Sequence, residues 1–364
     1  MLKEIEIQNF RCFDKAKISG FEKVNLISGK NNSGKTALLE AILLNNSPRP
    51  DNVILLKQIR RESLSFSKSL PSQAWDNLFF NQNKEQIIKI ISHDEHKSTN
   101  IVEVSVDESM QDFNEREENE DEDDSEKLMT LFSSSDAIRS VLHLQVKLNN
   151  QDSFQSSIIA TSKGLLGKEF KIPDIKQVSF IPSFLRIRNK DLTEEYDKAR
   201  FSNKDNEILA VFKMIDSSIQ QVESFSIGEP TIYLKRENEN RLPLSLFGDA
   251  LNRVADIILR LVNNKSSILL IDEIENGLHH TNQKGFWEFL FRLAVELDVQ
   301  IFATTHSLEM LKAFVAVGLQ ERYELVGSHL EIARHPKTKH IIGIKRDMET
   351  LDYGIEHGQG VRGE

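Results

Sequence analysis

The sequence predicts an α/β fold in which a mixed central sheet is flanked by helices, and three runs of residues lead to that prediction. A largely apolar run, Val24–Ile27, passes through a glycine-rich loop into a helical pattern over 37–46. A second apolar run, Ile268–Ile271, precedes a helical pattern over 281–296, and a third run begins at Gln300. Apolar strands that alternate with helices are typical of a parallel sheet buried on both faces.

Composition is that of an ordinary globular protein of 364 residues, with 39% hydrophobic and 28% charged residues. No apolar stretch reaches the length of a membrane helix, and the N-terminus lacks a signal-peptide pattern. A lone cysteine, Cys12, excludes an internal disulfide. We therefore expect a cytoplasmic protein without a membrane partner.

The net charge of −10 comes from one segment. Residues 107–126 contain twelve acidic residues and one basic residue, Arg116, which leaves the rest of the chain near neutrality. A run of like charges repels itself and buries little apolar surface, so we expect disorder over about 107–127. The alternatives are a DNA-mimicking tract and a docking site for a basic partner. The neutral body gives no electrostatic reason to expect strong nucleic-acid binding, although a basic face remains possible.

The middle of the chain contains short β-like runs around the acidic tract, at Gln86–Ile91, Ile101–Val106, Val141–Leu148, Ser157–Thr161 and Gln177–Ile181. These runs predict an antiparallel β-subdomain. Helical pieces are predicted over Val53–Arg61, Trp75–Phe80 and 193–223, the last with core positions at Ile208, Leu209, Val211, Phe212 and Ile215. We predict a first lobe over 1–190, a helical insertion over 191–240 and a second lobe over 241–364.

The loop after the first central strand matches G-x-x-x-x-G-K-[ST] at every fixed position. Its strand–loop–helix context indicates a phosphate-binding loop, because the backbone N–H groups and the helix N-terminus point at phosphate oxygens. Lys35 is expected to reach the β- and γ-phosphates, and the Thr36 hydroxyl to hold Mg²⁺. The motif consists of Gly29, Lys30, Asn31, Asn32, Ser33, Gly34, Lys35 and Thr36. It predicts that the chain binds a nucleoside triphosphate.

Two further positions follow predicted strands of the same sheet. Asp272 and Glu273 end an apolar strand, where Asp272 is expected to coordinate Mg²⁺ and Glu273 to act as general base toward the attacking water. His306 follows the next strand, at the edge where open α/β sheets bind ligands, and is expected to sense the γ-phosphate or the water. Catalytic roles are thus predicted for Lys35, Glu273 and His306.

This spacing resembles the ABC-type ATPases within the P-loop NTPases. The opening Ile5-x-Ile7-x-Asn9-Phe10-Arg11-x-Phe13 is similar to the first strand of RecF, SMC and OLD-type ATPases. Residues 272–279 and 304–307 look closest to the AAA15/AAA21-like group. The resemblance covers about 1–45 and 240–310 well, and the middle hardly at all. It implies a P-loop NTPase with an ABC-ATPase-like head that uses ATP and Mg²⁺.

The resemblance also implies roles for residues outside the phosphate loop. Arg11 would approach the nucleotide. Ser245 and Gly248, in a degenerate signature-like loop before a long helix, would bind the γ-phosphate of ATP held by another subunit. The second lobe would then contain this loop, the Walker B strand, the His switch and a short C-terminal extension. Two copies would form a homodimer, or a higher oligomer, around two ATP molecules.

The implied biology is control of a separate effector, a Toprim-like or HNH-like nuclease or a toxin, in defence against phage. The 58 residues after His306 are too few for the Toprim domain of OLD nucleases. The alternative is a RecF/SMC-like DNA-binding ATPase in repair, which needs a basic channel built from Lys57, Arg60, Arg61, Arg186, Arg188 and Lys190. A non-catalytic nucleotide sensor and a transporter motor are disfavoured, the first by the intact Lys35, Asp272 and Glu273. The glutamine that joins the two lobes in this superfamily is not evident, and Gln177 is a guess.

Overall fold

A computed structural model describes residues 1–107, 140–149, 152–168, 175–184 and 187–357. Most of the acidic tract, including the segment for which disorder is expected, lies outside the described residues. The chain on either side of it forms two paired antiparallel strands, Thr99–Asp107 and Ser140–Leu148. The tract therefore connects the two strands of a hairpin.

The central sheet has six strands in the order β16-β15-β3-β14-β13-β9. Every neighbouring pair is parallel except β15 with β16, so the sheet is mixed, as predicted. The bounds of its strands are β3 Val24–Ser28, β9 Val178–Ile181, β13 Ile268–Ile271, β14 Gln300–Thr304, β15 Gly327–Arg334 and β16 Ile341–Arg346. Strands from both predicted lobes share this sheet, and the lobe boundaries themselves stay a prediction.

Alternate side chains of the central strands enter two different hydrophobic cores. On β13, Ile268 and Leu270 pack into one core, whereas Leu269 and Ile271 pack into the other. Both faces of β13 are buried, so a polar side chain there would lose its contact with water. This is why β13 is apolar at every position rather than alternating.

A second, antiparallel sheet of seven strands has the order β2-β1-β4-β5-β6-β7-β8. Its strands are β1 Leu2–Phe10, β2 Phe13–Ser19, β4 Ile88–Asp94, β5 Thr99–Asp107, β6 Ser140–Leu148, β7 Asp152–Thr161 and β8 Gly164–Lys168. The two sheets approach closely where β16 meets β2, since a Cβ atom on Gly343 would lie 2.8 Å from Ile18 Cγ2. The predicted antiparallel β-subdomain is thus present, and it includes the N-terminal strands. The run Gln177–Ile181, predicted to belong to this subdomain, lies instead in the central sheet as β9, parallel to β13.

Helices cover both sides of the central sheet. Helix α1 shares the core of the seven-stranded sheet, and helices α4 to α9 build the other core. The helix bounds are α1 Lys35–Asn46, α2 Pro50–Ile59, α3 Leu64–Ser69, α4 Asn189–Phe201, α5 Asp205–Ile215, α6 Asp249–Asn263, α7 His280–Glu296, α8 Leu308–Gly318 and α9 Met348–Glu356. The α8 N-terminus is capped by Ser307, whose hydroxyl accepts the Met310 N–H.

Two predicted helical segments are corrected. The stretch 193–223 is helical only to Ile215, and residues 219–225 form β10, which pairs with β11, Thr231–Arg236. The short strand β12, Leu242–Pro243, completes this three-stranded sheet. The insertion expected to be helical is therefore half strand, because cross-strand pairing around a Gly228 turn (φ 80°) outweighs local helix propensity. Around residues 75–80 the chain forms 3₁₀ turns rather than an α-helix, and Asn81 is left-handed (φ 49°).

Candidate functional site

The glycine-rich loop between Ser28 and Lys35 joins β3 to α1, and its backbone shape depends on its glycines. Gly29 and Gly34 have φ angles of 141° and 107°, which side-chain-bearing residues rarely adopt. A Cβ atom on Gly29 would lie 2.2 Å from the carbonyl oxygen of Ile332 on β15. The loop is therefore pressed against the sheet, and Gly34 caps the helix that follows. The exposed loop residues are Lys30, Asn31 and Asn32, whereas Ser33 is buried.

Lys35 is held inside the curve of this loop. Its ammonium donates to the carbonyl oxygens of Gly29 (2.7 Å) and Lys30 (2.9 Å), and the residue is only 6% exposed. Burial lowers the pKa of Lys35 to about 8, although the negative charges of Asp272, Glu275 and Glu273 act in the opposite direction. The side chain is therefore a cation at neutral pH, placed at the centre of the loop.

Thr36 and Asp272 meet across the sheet edge. The Thr36 hydroxyl lies 3.1 Å and 3.2 Å from the two carboxylate oxygens of Asp272, to which it donates. A hydroxyl and a carboxylate are hard oxygen donors of the kind that Mg²⁺ prefers. The two residues predicted to hold the metal are thus neighbours, although 236 positions separate them in the chain.

Glu273 has a left-handed backbone (φ 50°), unusual for a residue with a side chain. Its N–H donates to the Thr304 hydroxyl (2.8 Å), which in turn donates to the Asp272 carboxylate (2.7 Å). Its own carboxylate accepts from the Asn276 amide (2.9 Å). Thr304 and Asn276 therefore set the positions of both acids.

One cleft of about 890 Å³ is lined by residues from the three segments that were predicted to act on the nucleotide. Residues Asn31 to Ala37, Glu273 and the exposed His306 all line it. The backbone N–H of His306 donates to Glu275 (2.6 Å), which joins the His306 turn to the segment after Glu273. Strand β14 lies between β3 and β13, so the sheet order brings these three segments to the same edge.

Arg11 lines the same cleft, but its guanidinium is already bound by protein groups. It donates to Glu40 (2.7 Å) and Glu62 (3.3 Å), and to the carbonyl oxygens of Asn77 and Leu56. Its side chain is 7% exposed. The structure thus gives Arg11 a place in the cleft wall, and its contact with a phosphate stays a prediction.

Ser245 and Gly248 lie outside the phosphate-loop cleft. Ser245 lines a neighbouring cleft of about 430 Å³ together with the first turns of α6. Gly248 is exposed, has a φ of 84° and precedes α6 as its N-cap. Within one chain these residues therefore do not share the cleft that contains Lys35.

Several side chains that line the site were not predicted to belong to it. Arg60, predicted only as part of a DNA channel, and Arg334 add positive charge to the main cleft, and Asn77, Phe80 and Asn81 form another part of its lining. Thr304 lies in the motif around His306 and Asn276 in the motif around Glu273, but only their contacts in the fold reveal their function. Proximity in sequence to His306 and Glu273 is the signal that pointed to them.

Most of the basic residues that were proposed to line a DNA channel are bound to other groups of the protein. Lys57 is 1% exposed and donates to Glu62, while Arg60 pairs with Glu40 beside the nucleotide-type cleft. Arg61 lies over the Phe184 ring, and Arg188 pairs with Asp191. Lys190 is exposed near Glu194, and Arg186 is outside the described residues. Of the five described residues, Lys57 is buried and the other four have acidic or aromatic partners, so they offer little unpaired positive charge for DNA.

The guess for the interlobe glutamine is wrong. Gln177 precedes β9, and its carbonyl oxygen accepts the N–H of Ile268, the first residue of β13. It therefore lies at the amino ends of the parallel strands, whereas the phosphate loop and Glu273 lie at the carboxyl ends.

Within the described part of the chain, one other group of side chains is close enough to share a metal ion, and it consists of Glu4, Glu6 and His93. The ammonium of Lys17 lies 2.6 Å from Glu4 and 2.9 Å from Glu6, so a cation already bridges the two carboxylates. Among the described residues, no helix combines the length and the apolar character that a membrane crossing requires.

Comparisons with known proteins agree with this geometry. The chain is 26% identical over 344 residues to an ATP/GTP phosphatase of Helicobacter pylori (strain ATCC 700392 / 26695), which covers 86% of this chain and 87% of that protein. A stretch of 44 residues is 48% identical to the DNA double-strand break repair Rad50 ATPase of Archaeoglobus fulgidus, covering 12% of this chain and 5% of that one. Among solved structures, the SMC head bound to the C-winged helix domain of ScpA matches with a TM-score of 0.50 at 10% identity, over 96% of this chain and 99% of that chain. That last likeness shows the fold.

The mixed sheet, the glycine loop and the acid pair define a P-loop ATPase with an ABC- and SMC-like head. The family is shown by a model described as AAA ATPase domain, which matches residues 1–311. The chain belongs to this AAA_15 family and is an ATPase, as the resemblance implied.

Proposed function

We propose that the cleft binds Mg²⁺-ATP and hydrolyses its terminal phosphoanhydride bond. The observation that carries this proposal is the meeting of Lys35, the Thr36–Asp272 pair and Glu273 at one sheet edge. The residues fit the ligand, since Gly29 and Gly34 take the positive φ angles of a phosphate-binding loop and the buried Ser33 hydroxyl has no hydrogen-bond partner among the described residues. Bound Mg²⁺ would be held by Thr36 and Asp272 and would withdraw charge from the phosphate oxygens.

Glu273 acts in this scheme as general base. Its carboxylate takes a proton from water while the water oxygen bonds to the γ-phosphorus and the bond to the β-phosphate oxygen breaks, giving ADP and phosphate. His306, exposed at the same cleft, donates a hydrogen bond to the γ-phosphate or the water. Lys35 neutralises charge on the β- and γ-phosphates.

The test is Glu273→Gln, with Lys35→Ala and the exposed Glu321→Gln as comparisons. Glu273→Gln keeps the volume and the hydrogen-bonding shape of the side chain, so ATP affinity is expected to stay within about threefold while kcat falls at least about 100-fold. Lys35→Ala is expected to lose binding, and Glu321→Gln to behave as the unmodified protein. Equal hydrolysis by the Glu273→Gln and Glu321→Gln proteins would remove Glu273 from the mechanism.

We further propose that two subunits sandwich two ATP molecules, with the Ser245 loop of each binding the γ-phosphate held by the other. Support comes from the separation of the Ser245 cleft from the Lys35 cleft within one chain, and from the exposure of Ser245 and Gly248. The N-terminus of α6, to which no side chain provides a cap hydrogen bond, suits a phosphate. Such a site is complete only when two copies meet face to face.

Mixing inactive variants tests this arrangement. Lys35→Ala and Ser245→Arg should each be inactive alone, but a mixed dimer contains one complete site. An equal mixture should therefore recover roughly a quarter of the normal rate, since half the dimers are mixed and each has one of two sites. Ser69→Arg, at another exposed serine, is the matched control and should leave the rate unchanged. No recovery in the mixture, with both variants folded and dimeric, refutes the shared site.

We propose that the nucleotide state of this dimer controls a separate effector in defence against phage. The proposal rests on the family resemblance. Phage plating on cells that express the gene with its chromosomal neighbours is the test. Lys35→Ala should abolish protection, and equal protection by this variant would overturn the proposal. The DNA-repair alternative has weaker support, since its basic residues are largely paired.

A further inference from the structure

Arg253 is a largely buried arginine on α6 that none of the roles above uses. Its guanidinium donates to two main-chain carbonyl oxygens, those of Pro182 and Asp272. These carbonyls follow β9 and end β13, two neighbouring parallel strands, at the edge that carries the phosphate loop. A buried cation is costly unless charge-assisted hydrogen bonds compensate for its lost hydration. Arg253 therefore fastens the two strands together beyond the last bonds of their ladder.

The Asp272 carbonyl belongs to the peptide bond that connects Asp272 to Glu273. Arg253 donates to the oxygen of this peptide, and the Thr304 hydroxyl accepts from its nitrogen at 2.8 Å. Both polar atoms of one peptide are thus held from outside its own strand. The residue that follows is Glu273, whose backbone is left-handed (φ 50°). Such a conformation persists only where the surroundings determine it.

Helix α6 contacts the same segment at a second point. Gly277 has a φ of 79°, and a Cβ atom there would lie 3.0 Å from both the Cα and the N of Ala250, in the first turn of α6. Asn276, which hydrogen-bonds the Glu273 carboxylate, lies between these two contacts in the chain. Residues 272–277 are therefore attached to α6 at both ends.

We propose that Arg253 is a positioning residue for Glu273, holding the Asp272–Glu273 peptide so that the carboxylate enters the cleft in the orientation needed to activate water. This inference rests on the proposed hydrolysis of ATP. Arg253 acts through the main chain and is not among the residues that line the Lys35 cleft, although it lines the neighbouring Ser245 cleft. Its loss leaves phosphate binding by Lys35 and the loop intact and disorients the base.

Kinetics of Arg253→Met, Arg253→Lys and Arg260→Met provide the first test. Arg260 is the matched control, because it lies on the same helix and pairs with a different group, Asp256 (2.6 Å), with 28% of its own side chain exposed. Arg253→Met should lower kcat about 10- to 100-fold with little change in the ATP dissociation constant, since small misplacement of a reacting group is costly. Arg253→Lys keeps a charge and donors and should give an intermediate kcat. Arg260→Met should retain the normal kcat.

A crystal structure of the Arg253→Met protein provides a second test that does not depend on activity. The expected result is that the Asp272–Glu273 peptide rotates, so that Glu273 leaves the left-handed region and its bond to Asn276 is lost. If Glu273 keeps both, or if kcat matches that of Arg260→Met, the proposal is overturned. If Arg253→Met does not fold, kcat and the crystal structure of Arg253→Lys test the proposal in its place. A wild-type chain that does not hydrolyse ATP would refute the proposed function, while the crystallographic comparison would still judge the role of Arg253.

Discussion

Glu40→Gln is expected to weaken the fold at the base of the phosphate-loop helix. Glu40 is fully buried on α1 and accepts from Arg11 (2.7 Å) and from Arg60 (2.6 Å). Replacing the carboxylate with an amide leaves Arg11, whose side chain is 7% exposed, without its nearest counter-charge. The inner face of the helix that follows Gly34 would then meet the Arg11 guanidinium without a carboxylate of its own to pair with it.

The magnitude follows from the burial of each partner. Removing one member of a buried ion pair costs about 3–5 kcal/mol, and an exposed pair contributes less than about 1 kcal/mol. The Arg60 side chain is 38% exposed, so its share is small. Arg11 keeps Glu62 and two carbonyl oxygens, which places the expected loss of unfolding free energy near the lower limit, about 3 kcal/mol.

Equilibrium unfolding in urea measures this loss for Glu40→Gln, Arg11→Met and the double variant. A double-mutant cycle should show a coupling of at least about 1 kcal/mol between Arg11 and Glu40. Lys17→Met, which breaks a pair at a 58% exposed lysine, is the control and should leave the urea midpoint nearly unchanged, because solvent screens an exposed pair. Losses below 1 kcal/mol for both variants, with a large rise in KM for ATP in Arg11→Met, would refute the structural role and restore Arg11 as a phosphate contact.

Two further predictions concern the reacting end of the cleft. Thr304→Val removes the hydroxyl that joins Asp272 to the Glu273 N–H, and should lower both kcat and stability, the latter by about 2 kcal/mol in urea unfolding, whereas Thr304→Ser should cost less than half of that. Equal behaviour of the two variants would show that the hydroxyl is dispensable. ATP affinity should fall as pH rises through about 8, because the Lys35 ammonium then loses its proton. Titrations with a fluorescent ATP analogue should show the dissociation constant rising up to about tenfold per pH unit between about pH 8 and pH 9, and a flat profile in a protein that stays folded would contradict the charge assigned to Lys35.

The parts of this protein that were predictable are those in which neighbouring residues carry both the structure and the chemistry. The loop from Gly29 to Thr36 needs glycines at fixed positions, because its backbone takes φ angles that other residues avoid. Strands such as Ile268–Ile271 are apolar at every position because both of their faces are buried. Asp272 and Glu273 could be assigned since a charged pair directly after such a strand must lie at the sheet edge.

Other predictions failed where contacts across the fold decide the outcome. Residues 219–223 have a helical pattern but pair with a strand that lies beyond a glycine turn. Lysine side chains are usually exposed, yet the ammonium of Lys57 is enclosed by Glu62 and the Ala74 carbonyl. Gln177 lies beside the central sheet rather than in the antiparallel β-subdomain, at the edge opposite to the phosphate loop. Each of these partners lies outside the helix or strand to which the residue belongs.

The sequence alone determined that this chain has a phosphate loop, a buried parallel sheet and an acid pair that follows one of its strands, because each depends on local backbone geometry and burial. Only the tertiary structure decided that Arg11 is paired with Glu40, and that Thr304 and Arg253 hold the peptide of Glu273. These arrangements depend on strand order and on how α6 packs, and both result from contacts between residues far apart in the chain. A side chain's charge can be read from the sequence, but which group neutralises it depends on the completed fold.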